Sequence, residues 1–446
     1  MTPARMTVSI PDPPLKSIFV PFFLPVPRLL ERVRQGFQES PIVEVKGYPL
    51  RIFCLRDPET IAQLYSNPQA GATKHPGLLP RVQRVMGNGA FILAGGGEWR
   101  DRRQQVQGAF RRSELRGYIQ RIPEDVNRAL EDWAPLVERA EIVDIYKLVR
   151  IMMTRINLQM FFSAQLSETE VHDLEQEVHF IEGNFVKPSP LFIPFPKNLR
   201  FRRYARSLRA RMLRLIQERR NSNTQFHDLL SYLLNVRNPQ TGHSWPDKEI
   251  VDEILSILFG ASVMSVTLTW AFGLMGSHPE IQQKVRQEIF DIPGSGLAVE
   301  DLSKLRYTQL ALKEVIRLYP AAWGYPRHTD HALRFGGVDI PANSLVIPMV
   351  YLLHRDPRFW KDPEDFIPER FEDEEASIPP FAYLPFSAGP RTCLGAGLAP
   401  LVLQTVLAKV LSRYRIISCP RFKGDPVTDF GFGIQPRDQV LVRLQT

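Results

Sequence analysis

Residues 385–397 read PFSAGPRTCLGAG and set one cysteine, Cys393, among glycines, an arginine and a phenylalanine. The 446-residue chain has only two others, Cys54 and Cys419. An odd, widely spread set argues against a disulfide scaffold and for a reducing compartment. Cys54 in RIFCLR and Cys419 in ISCPRF read as packing residues. Cys393 differs. Gly395 and Gly397 open an apolar run in which Leu398, Leu401, Val402, Val406 and Val410 recur at helical spacing. The thiol is therefore expected at a helix N-terminus, where free N–H groups and the dipole lower its pKa. A thiolate so placed is a nucleophile or a metal ligand. A nucleophile needs a base, and the segment offers no histidine. A lone metal ligand makes sense where a cofactor such as haem completes the coordination.

Other stretches carry charge at fixed spacing. LKEVIRL holds Glu314 and Arg317, which at i,i+3 share a helix face. Downstream come HRDPRFW (354–360) and PERF (368–371) with Arg370. A buried carboxylate between guanidiniums is satisfied by bidentate hydrogen bonds. EWRDRR (98–103) holds Trp99 and Arg103, and GYPRH holds Arg327.

Together these stretches resemble the cytochrome P-450 superfamily of haem-thiolate monooxygenases, in its soluble bacterial form. Phe386, Gly389, Arg391, Cys393 and Gly395 match the family's FxxGxRxCxG loop, Glu314 and Arg317 its ExxR pair, and Trp99 and Arg103 its WxxxR element. The resemblance implies haem b (iron protoporphyrin IX) with Cys393 on the iron. Phe386, Gly395, Trp99, Arg103, Arg327 and Arg391 would contact the cofactor, the arginines and the indole N–H meeting its carboxylates. Glu314, Arg317 and Arg370 would stabilise the fold.

The chain departs from the family on its long apolar helix, which in most members carries AGxDT. Counting back from Trp270 along FGASVMSVTLTW puts Ser262 at the acid position and Val263 at the threonine position. Splitting dioxygen requires two protons, and valine donates none. Ser262, Ser265 or a substrate hydroxyl could hold a water instead. Three chemistries stay open: an ordinary monooxygenase with a substitute relay; peroxide-dependent, isomerase or dehydratase chemistry; and oxidative coupling or cyclisation. A haem sensor or electron carrier is the non-enzymatic alternative, but it would not need segments that shape a large pocket.

By the same resemblance the pocket draws on Phe91 and Ile92, Phe185, Phe259, Val263, Ala321, Trp323, Phe432 and Ile434, with Arg437 the candidate anionic anchor. This apolar set predicts a hydrophobic substrate: a terpenoid, fatty acid or polyketide. No flavin or nicotinamide fingerprint occurs, so a separate ferredoxin or flavodoxin with its reductase must bring electrons. A net charge of +8 suits docking of such acidic proteins.

The elements that must position these residues are mainly helical. Strands are expected over 42–56 and 332–350, and a short helix over 57–66. Residues 75–98 read as loop. Helices run from Trp99 to about Ile216, broken at Lys187–Pro196, then over Asp247–Met275, Leu302–Leu318 and Leu394–Tyr414. The Asp247 helix is apolar nearly all round and must be buried. The fold class is mainly α with a minor β part, by resemblance a triangular helical prism with haem between the central and cysteine-loop helices. A Pro-rich lead-in (1–40) would precede a single catalytic domain (41–446) with a small β subdomain. In SIFVPFFLPVP (17–27) prolines interrupt a run far short of the ~20 residues a spanning helix needs. At most peripheral membrane contact, a cytoplasmic location and a monomer are expected. The arginines of residues 200–220 form a basic amphipathic helix, solvated or facing an acidic partner. No nucleic-acid motif accompanies them.

Overall fold

The computed structural model describes residues 15–19, 26–46, 51–67, 80–90, 95–185, 193–222, 224–238, 242–292, 297–373, 378–419, 428–430, 433–436 and 438–446. In chain order the strands are β1 (Leu15–Phe19), β2 (Ile42–Lys46), β3 (Arg51–Leu55), β4 (Ile142–Asp144), β5 (Arg327–Thr329) and β6 (Leu333–Phe335). They continue with β7 (Val338–Ile340), β8 (Ser344–Pro348), β9 (Arg415–Ser418), β10 (Thr428–Phe430), β11 (Ile434–Pro436) and β12 (Leu441–Gln445). The helices begin with α1 (Val26–Gly36), α2 (Pro58–Ser66), α3 (Pro80–Met86), α4 (Gly96–Gly108), α5 (Arg112–Ile119), α6 (Ile122–Glu138), α7 (Ile145–Phe162) and α8 (Glu168–Glu182). After them come α9 (Pro196–Asn221), α10 (Leu229–Asn235), α11 (Asp247–Ser277), α12 (Pro279–Phe290), α13 (Arg306–Leu318), α14 (Val350–Leu353) and α15 (Ala399–Arg413).

The chain divides into two compact units. One comprises Met1–His75, Ala322–Asp365 and Glu374–Thr392; the other Pro76–Ala321, Phe366–Asp373 and Cys393–Thr446. The first is built on a five-stranded sheet in the order β1-β2-β3-β8-β5. β3 pairs antiparallel with β2, with Cys54 opposite Val43, and parallel with β8. All five residues of β8 are buried, as a strand covered on both faces requires. α2 starts where Asp57 accepts the Thr60 N–H at 2.9 Å and Pro58 presets the first turn.

The second unit is helical around α11. That helix is the one among the described residues long and apolar enough to cross a membrane, but its apolar stretch is largely buried inside the protein. Phe259, Leu268, Trp270 and Phe272 pack in one core with Val402, Val406 and Val410 of α15. α8 starts with a capping box, Ser167 and Glu170 satisfying each other's backbone N–H groups. The strands β4, β12 and β9 form a small sheet on this unit.

The expected fold class stands, with local differences. Residues 80–86 are helical where loop is expected, because Val82, Val85 and Met86 find a core to bury against. The final helix begins at Ala399, and residues 394–397 form a tight 3₁₀ turn, since two glycines weaken an α-helical start. Leu302 likewise lies in a separate 3₁₀ turn before α13.

Candidate active site

Cys393 adopts an extended backbone at the start of the 3₁₀ turn Leu394–Gly397. Its side chain reaches open space, yet protein atoms crowd it on the other sides. Burial pushes the thiol pKa up; the Gly395 N–H and the Arg103 charge pull it down but do not win. The expectation of a lowered pKa is thus corrected. The turn is only four residues long, too short to project a helix dipole, and the desolvation cost dominates.

Arg103 lies on α4, one turn beyond the buried Trp99, so the two share a helix face. Burial lowers the Arg103 pKa, and the nearby Cys393 raises it. Arg102, its neighbour, points elsewhere. It pairs with Glu249 at 2.5 Å and Glu253 at 3.7 Å and lies 4.2 Å over the Trp245 ring. Adjacent arginines on one helix thus divide between the thiol and a structural network.

In the other unit Arg327 is 3% exposed, and burial lowers its pKa. It donates to Ser387 Oγ at 3.0 Å and sits 5.4 Å over Tyr65. The Tyr65 and Ser387 hydroxyls are 3.1 Å apart. Arg391 is buried at the end of the 3₁₀ turn Gly389–Arg391, and Phe386 is half-buried. Gly389 has φ +67°, and a Cβ there would come 3.0 Å from the Tyr65 carbonyl oxygen. Only glycine meets both conditions without strain.

Glu314 and Arg317 are wholly buried. Arg317 grips the carboxylate in a fork, Nε to Oε2 at 2.7 Å and Nη2 to Oε1 at 2.8 Å. Arg370 Nε (2.9 Å) and the Ile367 N–H (3.0 Å) also donate to Oε1. Four donors on one carboxylate satisfy it away from water, as expected for a structural cluster.

In the middle of α11, Ser256, Gly260, Val263 and Val266 form an accessible stripe along a mostly buried stretch, with Ser262 also partly accessible. A Cβ at Gly260 would meet nothing within 4 Å, so this face borders open space. Ser265 turns away from that face, whereas Ser262 lies at its edge, one turn before Val266. The Ser262 hydroxyl hydrogen-bonds Glu182 on α8 and the Phe259 carbonyl, the latter at 2.8 Å. Ser265 donates to the Ser262 carbonyl at 2.6 Å. At about 100° per residue, positions 262 and 265 turn away from 260 and 263. Of the three candidates Val263 lies most squarely on that face, Ser262 sits at its edge and Ser265 is buried.

Among the expected pocket residues, Phe185 and Phe259 are buried and pack edge-to-face at 5.1 Å. Ile434 is buried too, and its carbonyl accepts the Trp270 indole N–H at 2.8 Å. Ala321 is half-buried; a Cβ on Gly433, next to Ile434, would come 2.7 Å from its carbonyl oxygen. The C-terminal hairpin therefore packs directly on the turn after α13. Trp323, in the first unit, is also half-buried. Phe91, Ile92, Phe432 and Arg437 lie outside the described residues. Glu182 and Arg150 escape sequence reasoning altogether: Glu182 stands 80 residues from the serine it binds, and no local motif links them.

The side chains suit the expected cofactor. Arg103 is a partly buried cation near the thiol, held at a desolvation cost that an anionic group such as a porphyrin carboxylate would offset. Cys393 is an accessible sulfur beside the Gly395 amide. Comparison with known proteins agrees. The family model described as Cytochrome P450 matches residues 11–441. The chain is 30% identical over 388 residues to a cyclooctat-9-en-7-ol 5-monooxygenase of Streptomyces melanosporofaciens, covering 85% of this chain and 83% of that one. It is 27% identical to a pentalenene oxygenase of Streptomyces avermitilis, covering 86% of each. A solved structure described as retinoic acid bound cyanobacterial CYP120A1 superposes with a TM-score of 0.84 at 26% identity, covering 98% of this chain and all of that one.

Proposed function

The chain belongs to the cytochrome P450 family and is a haem-thiolate oxidoreductase of monooxygenase type, and from that premise we propose that it inserts one oxygen atom of O2 into a C–H or C=C bond of a terpenoid. The observation that carries the substrate class is the 30% identity, over most of both chains, to an enzyme named for oxidising cyclooctat-9-en-7-ol. The name pentalenene oxygenase points the same way. The face of α11 bordering open space fits, since Gly260, Val263 and Val266 offer a hydrocarbon skeleton contact without polar competition.

Bound haem b supplies the one-electron and dioxygen chemistry. Cys393 would hold the iron through Sγ, with the Gly395 N–H tuning the sulfur. Trp99, Arg103, Arg327 and Arg391 would meet the propionates. Val263 excludes water and shapes the substrate's seat. Electrons come from a separate ferredoxin or flavodoxin with its reductase, drawn by the net charge of +8. The protein acts as a cytoplasmic monomer.

Val263 also supports a second reading, in which peroxide, not O2, is the oxidant, or the reaction is an isomerisation, dehydration or oxidative cyclisation. Type I spectral titration with terpenes, fatty acids and steroids tests the substrate class. Turnover with ferredoxin, reductase and NADPH, set against turnover on hydrogen peroxide alone, separates the two readings. Peroxide-only activity would defeat the first.

A further inference from the structure

We propose that Glu182 of α8 supplies α11 with the carboxylate its own sequence lacks, and that Glu182, Ser262 and one water bound beside Asn157 pass protons to the turn of α11 that carries Val263. The proposal rests on the oxygen-activating reading above.

Three observations carry it. The first is the hydrogen bond that the Ser262 hydroxyl donates to Glu182, so a carboxylate reaches α11 at the residue before Val263. Glu182 is held there by Arg150 Nη1 at 3.2 Å. Arg150 also binds Glu175 at 2.5 Å and Tyr146 Oη at 3.1 Å. Glu175 is the partly exposed member of this buried cluster and marks its route to solvent.

The second is a cavity of about 20 Å³ lined by Arg150, Thr154, Asn157, Ser262 and Ser265 among apolar neighbours. Roughly 10–15 Å³ suffices for one water, provided polar partners line the space. Asn157 is 2% exposed, and its Oδ1 has no hydrogen-bond partner. A buried acceptor left unmet costs about 1–3 kcal/mol, which a bound water removes. The two serine hydroxyls complete that water's shell.

The third lies in the helix itself. Ser262 Oγ donates to the Phe259 carbonyl, and Ser265 Oγ to the Ser262 carbonyl. These carbonyls are the i−4 acceptors for the N–H groups of Val263 and Val266, the residues on the open face. Side-chain hydroxyls sharing such acceptors loosen and bend a helix. The chain is thus weakened where a proton must cross from the Glu182 side to the Val263 side.

In delivery, a proton arriving from solvent at Glu182 Oε1 passes to Ser262 Oγ as Ser262 gives its own hydroxyl proton to the water beside Asn157, which hands one of its protons on toward the Val263 turn. Each hop breaks one O–H bond and forms another. Solvent reprotonates Glu182, and the electrons are those of the redox partner.

Glu182→Gln in the haem-loaded protein tests this. It should lower product formed per NADPH by at least about tenfold, with peroxide released instead, and alter the solvent kinetic isotope effect. The carbon monoxide difference spectrum, substrate Kd and peroxide-driven turnover should match the parent. Returning the acid to the helix in Glu182→Gln/Ser262→Asp should restore coupling, which a merely structural Glu182 would not allow. A high-resolution crystal structure should show a water bonded to Asn157 Oδ1. Unchanged coupling in Glu182→Gln, or an empty cavity, would overturn the proposal. A parent that makes no product from O2 would defeat the monooxygenase reading and the relay with it, whereas a parent that turns over with the variant equally coupled defeats the relay alone.

Discussion

Arg370 Nε reaches across 56 residues of sequence to donate 2.9 Å to Glu314 Oε1, the oxygen that Arg317 also grips. The wholly buried carboxylate is paired with both cations. Glu314→Gln removes that charge and strands two guanidiniums. We expect a loss of about 3–5 kcal/mol, read by chemical denaturation, and poor haem retention. A variant as stable as the parent would show that the cluster does not hold the fold.

Cys393→Ala should abolish the thiolate signature in the carbon monoxide difference spectrum. The far-UV circular dichroism should be unchanged, because Cys393 is accessible and belongs to neither hydrophobic core.

Gly260→Ala tests the open face of α11. A Cβ meets nothing within 4 Å, so the methyl costs no clash and gains about 1 kcal/mol of helix propensity. Thermal stability should hold or rise while substrate Kd shifts. A drop in melting temperature would mean that the space beside Gly260 is filled.

Stability should fall as pH rises. Burial pushes Glu253 up to about 8, against the pull of Arg102 and the Ala90 N–H. A carboxyl with a raised folded-state pKa binds its proton more tightly folded than unfolded. Its contribution is complete below the unfolded value near 4.5 and is lost as pH climbs through about 8. Glu253→Gln should remove this part of the slope in melts taken between pH 5 and 9. An unchanged slope would show that Glu253 is ionised throughout.

Much of the site was legible in one dimension. The Cys393 loop, the Glu314–Arg317 pair and Trp99 with Arg103 are local patterns, because a turn or a helix face sets their geometry within a few residues. The thiol's pKa was misjudged for the reason that defeats local reading generally: burial, which outweighed the Gly395 amide, is a property of the surroundings. The serines of α11 were identified but not oriented. A helix that is apolar on every side carries no period from which to read which face meets open space and which meets α8.

Sequence alone thus determined the haem-thiolate class and the mainly helical fold, since each depends on residue type at short spacing. Tertiary structure decided that Ser262 meets Glu182, that Arg150 holds Glu182 and that Asn157 lines a water-sized cavity. It also sent Arg102 and Arg103 to different tasks. These contacts join residues tens of positions apart, and only the packing of helices on one another brings them within hydrogen-bond reach.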